Sequence, residues 1–153
     1  MKSLTLTTLA VTFAALAAPA LAQHARLEDA WTVCAGVAGS ERAETALASA
    51  ATAAGFPLLQ QGFHGQRNDQ GQVVVLSIER PLDGVVHCTV RHNGGAEADL
   101  AARAERFWRA RGYTARPNRA ATYSGVESVR FTSVALRAES PDFWATSVEW
   151  DLD

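Results

Sequence analysis

Three side chains of a predicted β-hairpin are the residues of this chain best placed to do chemistry together. They are Glu79, His87 and Arg91, within residues 73–92, VVVLSIERPLDGVVHCTVRH. The strand pairing predicted below sets Glu79 opposite His87 on the outer face of the hairpin. A carboxylate beside an imidazole is the minimum for general acid–base catalysis. An exposed cross-strand charge pair, which contributes less than about 1 kcal/mol, is the simpler interpretation.

Two further groups of polar residues are candidates for a binding site. His64 and Asp69 lie in residues 58–72, LLQQGFHGQRNDQGQ, which are rich in amides and glycine and are predicted to form a loop. A loop of this length is long for a plain connection, so His64 is a candidate binding residue, although a histidine in such a loop is usually only solvated. The other group is a basic stretch that could hold a phosphate or an acidic glycan, although ion pairs along a solvated helix face explain it more simply. Its members are Arg103, Arg106, Arg109, Arg111, Arg116 and Arg119.

The signatures of common enzyme classes are missing from the sequence. There is no G-x-S-x-G, H-E-x-x-H, P-loop or C-x-x-C motif, and the histidines have no ligand spacing on one helix face. We therefore predict no metal and no cofactor, and we assign no catalytic residue. The expected function is binding or interaction rather than catalysis. A small hydrolase-like enzyme that uses Glu79 and His87 is one alternative, and a structural accessory subunit of an envelope complex is another.

The first 22 residues have the pattern of a secretory signal peptide. Lys2 precedes an apolar segment from Leu4 to Leu16, and residues 20–22, Ala-Leu-Ala, form a small-residue cleavage site. A membrane anchor is the weaker alternative. Cleavage would leave one predicted domain, residues 23–153, with 13 arginines against 16 acidic residues and a formal charge of −3. We therefore expect a periplasmic or extracellular protein, with no later membrane span, that binds an envelope protein or a small ligand and not nucleic acid.

Two cysteines in an exported chain predict one disulfide. Cys34 and Cys88 are 54 positions apart, and closing a loop of that length stabilises the fold by on the order of 4 kcal/mol. A redox-active or metal-bound pair is the alternative, but it lacks the C-x-x-C motif and the basic neighbours that such chemistry favours. Cys34 shares the apolar face of a predicted helix with Trp31, so it is expected to meet a core-facing strand residue such as Cys88.

Helical and strand periodicity alternate along the chain and predict an α+β fold. The predicted helices cover 26–38, 41–54 and 97–111, and the predicted strands cover 73–79, 85–92, 126–137 and 143–152. Residues 58–61 are a short strand candidate, and residues 114–125 are expected to be a connection. The result is an antiparallel sheet of about four strands packed by three helices on one face, in the order α-α-β-β-α-β-β. Helix, glycine, loop and hairpin recur from Gly55 to Gly112, which indicates an αββ internal repeat.

The alternation of apolar residues predicts how the strands pair. In the first hairpin the expected pairs are Leu76 with Val90, Ser77 with Thr89, Ile78 with Cys88, Glu79 with His87 and Arg80 with Val86. In the second they are Phe131 with Val148, Val129 with Trp150 and Arg130 with Glu149. In the first hairpin this register buries the apolar side chains on one face. It leaves Ser77 and Thr89 on the more exposed face.

Overall fold

The computed structural model describes residues 26–128 and 130–152, which form three helices and eight strands. The helices are α1 (Leu27–Val37), α2 (Ala43–Ala53) and α3 (Glu97–Ala110). The strands are β1 (Leu58–Gln60), β2 (Phe63–Arg67), β3 (Val73–Leu82), β4 (Val85–Asn93), β5 (Thr114–Ala115), β6 (Thr122–Glu127), β7 (Arg130–Ser140) and β8 (Phe143–Asp151). The predicted signal peptide, residues 1–22, and Val129 of the predicted second hairpin lie outside the described residues.

The eight strands form one antiparallel sheet in the order β1-β2-β3-β4-β8-β7-β6-β5. The predicted sheet of about four strands is therefore wrong. Strands β1 and β2 lie in the segment 58–72, and β5 and the start of β6 lie in the segment 114–125, both of which we expected to be mainly irregular. Their side chains lack apolar alternation, but a strand at the edge of a sheet can form through backbone hydrogen bonds to a neighbour that is already in place.

A helix followed by four strands occurs twice in the chain. Helix α2 precedes β1 to β4, and helix α3 precedes β5 to β8. Strands β4 and β8 pair with each other, so the two halves meet at the centre of the sheet. The repeat unit is therefore αββββ rather than the predicted αββ. Gly55 and Gly112 follow the two helices with φ values of 83° and 87°, the left-handed conformation that commonly ends a helix.

The helices cover one face of the sheet, and the core lies between the two layers. Helix α1 contacts the central strands β3, β4 and β8, while α2 contacts β2 and β3 and α3 contacts β5. Trp31 of α1 lies 5.4 Å from Phe107 and 6.3 Å from Trp108 of α3, measured between ring centroids. The indole Nε1 of Trp31 also donates a hydrogen bond of 2.9 Å to Thr146 Oγ1 on β8. Trp31 therefore joins helix α3 to the centre of the sheet.

Cys34 of α1 and Cys88 of β4 form the predicted disulfide, with their Cα atoms 5.4 Å apart. Both residues are completely buried. Because β4 is a central strand, the bond holds α1 against the middle of the sheet. A disulfide is consistent with an exported protein. No helix within the described ranges is long and apolar enough to cross a membrane.

Four of the five pairs predicted for the hairpin of β3 and β4 are aligned. The fifth pair, Arg80 with Val86, is not aligned, because the register shifts between Glu79 and Leu82 and Leu82 lies opposite Val85. Leu76 and Val90 are completely buried on the face toward the helices, as expected. The opposite face differs from the prediction. Ser77 and Thr89 are only 2% and 0% exposed, although none of the three described helices lies on their side of the sheet. Longer charged side chains around them exclude solvent, as described below.

The register predicted for the hairpin of β7 and β8 is wrong by three residues. Val134 lies opposite Val148, where we expected Phe131. The turn is shorter than expected, because β7 continues to Ser140 and β8 begins at Phe143. A shift by an odd number of residues exchanges the two faces of a strand. Val134 is consequently buried, and Phe131 is 59% exposed.

Candidate binding site on the free sheet face

The sheet face opposite the helices, called the outer face below, carries three of the four predicted site residues. Cys88 points toward α1 through its disulfide, so its neighbours on β4 point away from the helices. Pairing extends this face across the central strands. Its central residues are Ser77 and Glu79 on β3, His87, Thr89 and Arg91 on β4, and Ala145, Ser147 and Glu149 on β8.

Arg91 joins two carboxylates on different strands. Its Nη1 donates a hydrogen bond to Glu79 on β3, and its Nε lies 3.2 Å from both carboxylate oxygens of Glu139 on β7. Strand β8 lies between β4 and β7. The β8 residue opposite Arg91 is Ala145, which is small enough for Glu139 to reach across and is completely buried. The Arg91 network therefore covers the small side chains at the centre of the outer face.

The Arg91 network also sets the ionisation of Glu79. Burial raises the pKa of Glu79, but the hydrogen bond and the positive charge of Arg91 together outweigh burial, and the pKa of this carboxyl lies below its ordinary value. The pKa of Arg91 is raised in turn by the hydrogen bond to Glu79. Glu79 is thus held as an acceptor for hydrogen bonds and is poorly suited to donate a proton.

Replacing Glu79 by Gln should lower the free energy of unfolding at pH 7 by less than about 1 kcal/mol, because the ion pair is partly exposed. A carboxyl with a lowered folded-state pKa stabilises the protein above its unfolded-state pKa, near 4.5. The contribution is lost as the pH falls below that value through the folded-state pKa. Urea unfolding of both proteins at pH 7 and pH 3 should therefore show a smaller difference at pH 3 than at pH 7. Asp69→Asn, at an exposed position with no ion pair in the described structure, is the control.

His87 forms its ion pair with Glu149 and not with Glu79. Its Nε2 lies 2.7 Å from Glu149 Oε2 on β8. Glu79 is opposite His87 in the register, but its carboxylate is turned toward Arg91. The geometry therefore does not form the predicted Glu79–His87 pair. Glu149 was missed because no pattern in the sequence pairs β4 with β8, where Glu149 lies opposite His87.

Two hydroxyl groups at the centre of the outer face make no hydrogen bond within the described part of the chain. Thr89 and Ser147 lie directly opposite each other on β4 and β8, with exposures of 0% and 7%. Neither hydroxyl has a hydrogen-bond partner among the described residues. Leaving a buried hydroxyl unpaired costs about 1–3 kcal/mol, and such groups are uncommon in folded proteins. The neighbouring Ser77 is different, because its hydroxyl bonds to Glu79 at 3.3 Å.

The arrangement on the outer face does not make an activated nucleophile. A catalytic serine or threonine needs its hydroxyl within hydrogen-bond reach of a base. His87 is the only histidine on the central part of this face, and its hydrogen bond within the described structure is to Glu149. The hydroxyls of Thr89 and Ser147 do not bond to it. These groups form a polar binding surface more readily than a hydrolytic centre.

A groove of about 270 Å³ extends the outer face toward the connection between β5 and β6. Glu149 lines this groove together with Arg116, Arg119, Phe131 and Ser133. The guanidinium of Arg116 lies 5.6 Å from the centroid of the Phe131 ring, a cation–π contact that holds both side chains in place. The groove therefore presents donors, acceptors and an aromatic ring next to the His87–Glu149 pair.

Half of the six arginines in the predicted basic stretch form ion pairs. Arg109 pairs with Glu105 one turn earlier on α3, as the sequence spacing indicates. Arg103 pairs with Glu28, and Arg111 pairs with Glu127. Of the predicted basic residues, Arg116 and Arg119 are the two that reach the groove.

Three phenylalanines lie at the margins of the outer face. Phe63 on β2 lies opposite Ser77, which in turn lies opposite Thr89. Phe63 is 36% exposed. Phe131 and Phe143 are 59% and 45% exposed. Aromatic rings are enriched in surfaces that bind another molecule.

His64 does not belong to the outer face. It lies on β2 opposite Leu76, so it points toward the helices, and it is 5% exposed. Its Nδ1 is 3.3 Å from the carbonyl oxygen of Phe56. The prediction of a solvated loop histidine at this position is wrong, and Asp69 remains in the exposed turn between β2 and β3.

Comparison of the chain with protein-family models, with curated proteins and with solved structures finds no match. Within residues 26–128 and 130–152, no three His, Cys, Asp or Glu side chains are grouped closely enough to hold a metal ion. The geometry of the outer face is therefore the basis for assigning a function to this chain.

Proposed function

We propose that this chain is an exported binding domain that holds a hydroxyl-rich polar ligand, of the oligosaccharide class, on its outer face. The observation that carries the proposal is the pair of buried, unpaired hydroxyls of Thr89 and Ser147 at the centre of that face. A fold that retains two such costly groups side by side gains from them when a ligand displaces the Arg91 network that covers them and supplies their hydrogen bonds.

The chemistry around the two hydroxyls suits a ligand that both donates and accepts hydrogen bonds. The carboxylates of Glu79, Glu139 and Glu149 accept hydrogen bonds from ligand hydroxyls, and the hydroxyls of Thr89 and Ser147 can act in either sense. The exposed Phe63 and Phe143 rings offer apolar contact to the C–H faces of a sugar ring. An oligosaccharide combines hydroxyls and C–H faces in this way.

The proposed location is the periplasm or the extracellular space. The predicted signal peptide at residues 1–22 motivates this placement, and the disulfide between Cys34 and Cys88 supports it, since such bonds persist in oxidising compartments. Detection of the mature chain, beginning near residue 23, in the periplasmic fraction or the culture medium would test the proposal. Recovery of the full-length chain in the cytoplasm would contradict it.

Replacing Thr89 by Val and Ser147 by Ala should raise the free energy of unfolding by about 1 kcal/mol, because buried hydroxyls without partners are removed. The same double variant should lose ligand affinity by tenfold or more, since each lost hydrogen bond is worth about 1 kcal/mol. Ser77→Ala is the matched control. Its hydroxyl bonds to Glu79, so its removal should lower stability slightly. Denaturant unfolding measures both changes in stability, the expected gain in the double variant and the expected loss in Ser77→Ala. A destabilised double variant would contradict the proposal.

Backbone amide NMR can test the proposed ligand class directly. Titration with maltooligosaccharides and chitooligosaccharides at concentrations up to about 10 mM detects affinities into the millimolar range. We expect saturable shifts on β3, β4 and β8 and none on α2. Absence of saturable shifts with every oligosaccharide, or shifts unchanged in the Thr89→Val/Ser147→Ala variant, would overturn the proposal.

The His87–Glu149 contact of 2.7 Å keeps an enzymatic function as the second candidate. An imidazole held by a carboxylate can act as a general base if a substrate brings its own nucleophile or an attacking water. Ester, phosphate, peptide and glycan substrates should show no turnover above background under the binding proposal. Turnover that disappears in His87→Ala, in a protein that remains folded, would instead establish the enzyme.

A further inference from the structure

A second cavity, of about 480 Å³, lies on the helix side of the sheet between α2 and strands β1 to β3. We call it the α2 cleft. Its apolar lining comes from Leu47, Ala48, Leu58 and Ile78, and Leu58 is 61% exposed. Its volume is within the range of small-molecule sites, which are mostly apolar with a few polar groups. The cleft is on the opposite side of the sheet from the outer face and is independent of the function proposed above.

His64 is the buried polar group of the α2 cleft. Because the carbonyl of Phe56 can only accept a hydrogen bond, the facing Nδ1 of His64 must carry the proton. In the neutral ring, Nε2 is then an acceptor, and it has no hydrogen-bond partner among the described residues. The charged group at the rim, Glu44, is already bound by Arg80 through two hydrogen bonds of 2.7 and 2.9 Å. Thr45 and Gln61 add a hydroxyl and an amide to the lining. The cleft therefore offers the His64 acceptor beside these two polar groups and no unpaired charge.

The internal repeat shows which residue occupies the position equivalent to the α2 cleft in the second half of the chain. His64 lies opposite Leu76, and Tyr123 lies opposite Val134. Leu76 pairs in turn with Val90 of β4, and Val134 pairs with Val148 of β8, so the two halves have the same order of paired residues. His64 and Tyr123 are therefore equivalent residues of the two repeats.

Tyr123 reaches from the sheet toward helix α3. It is 4% exposed, and its pKa is raised by burial and also by the nearby charge of Glu105. The glycine spacing of the two repeats makes Glu105 equivalent to Ala48, which lines the α2 cleft. A phenol ring thus lies between sheet and helix in the second half. The first half has the shorter imidazole and the small side chain of Ala48, and the space is open.

We propose that the α2 cleft binds a small neutral phenol or a similar aromatic alcohol, whose ring lies against Leu47, Leu58 and Ile78. The ligand hydroxyl donates a hydrogen bond to His64 Nε2. The ring occupies the place that Tyr123 fills in the other repeat. Neutral ligands are favoured because the rim presents no unpaired charge.

The test uses 4-ethylphenol as the probe and ethylbenzene as its analogue without the hydroxyl, followed by backbone amide NMR. Wild-type protein should bind 4-ethylphenol saturably, with shifts on α2, β1 and β2, and should bind ethylbenzene at least tenfold more weakly. His64→Tyr should fill the cleft and weaken 4-ethylphenol binding at least tenfold. His64→Ala keeps the space but removes the acceptor, so it should bind the two probes alike.

Ala48→Leu fills the cleft from the helix side and is the second variant should His64→Tyr fail to fold. Asp69→Asn, in the turn away from the lining residues, is the control and should bind like the wild type. Absence of saturable binding to wild-type protein would overturn the proposal, as would unchanged binding in a folded His64→Tyr or Ala48→Leu variant. Saturable shifts confined to the outer face would also overturn it, because they would assign the probe to the other site.

Discussion

Replacing Cys34 and Cys88 together by alanine should lower the free energy of unfolding by about 4 kcal/mol. The disulfide closes a separation of 54 residues, and the chain-entropy model relates this length to the restriction of the unfolded state. Both side chains are completely buried, so loss of packing adds to the effect. A change of this size is a large part of the stability of a domain, which is usually 5–15 kcal/mol.

Guanidinium unfolding monitored by tryptophan fluorescence measures this effect. Reductant should destabilise the wild-type protein by a similar amount and should leave the double alanine variant unchanged. The double alanine variant is the control for any effect of the reductant other than reduction of the disulfide. A wild-type protein whose unfolding midpoint does not move after complete reduction would contradict the account of the disulfide.

Replacing Trp31 by alanine should cost about 3–5 kcal/mol, the range for removing a large aromatic side chain from a core. Trp31 is completely buried, and its ring contacts Phe107 and Trp108 of helix α3. Its removal opens a cavity where α1, α3 and β8 meet. Denaturant unfolding should show a lower midpoint with a two-state transition, because the disulfide still holds α1 to β4.

Two milder variants separate the parts of the Trp31 contribution. Trp31→Phe keeps most of the aromatic contact but leaves Thr146 Oγ1 without the indole donor, so a loss of about 1–3 kcal/mol is expected. Thr146→Val removes the same hydrogen bond from the other side. Combining Trp31→Phe with Thr146→Val should cost less than the sum of the two changes, since both remove one interaction. Strict additivity would show that the hydrogen bond is not formed.

The two faces of the sheet contribute differently to the stability of the fold. On the helix side, the disulfide and the aromatic cluster around Trp31 leave the central part filled, and the α2 cleft is at the margin. On the outer face, charged side chains cover Thr89 and Ser147 without bonding to them. The stability of the fold is therefore concentrated on the helix side, and the outer face can change with little effect on folding.

Local patterns in the sequence determined the elements whose side chains alternate between core and solvent. The apolar stripe of Leu100, Ala104 and Trp108 predicts α3, and these residues are buried. The alternation along β3 and β4 predicts their register, because a slip by one residue would expose the apolar face. The pairing of Cys34 with Cys88 followed from helical periodicity and from the count of two cysteines.

Tertiary structure decided strands β2 and β5 and the positions of the turns, whereas β1 lies within the strand candidate at residues 58–61. Strands β1, β2 and β5 carry no apolar alternation, and they form through backbone bonds that any sequence can make once a neighbouring strand is present. The predicted strand at 126–137 is divided between β6 and β7 by a turn in which Ser128 has a φ of 49°, a position without the glycine or asparagine that usually signals such a turn.

The same distinction between local sequence patterns and tertiary structure applies to the candidate site. His87, Arg91 and Glu79 were found because they share one hairpin, where local alternation sets the face of each side chain. Their partners Glu149 and Glu139 come from β8 and β7, strands joined to the hairpin only through the sheet order. A side chain that reaches across strands far apart in sequence leaves no periodic signal, so only the fold could show which carboxylate each cation binds.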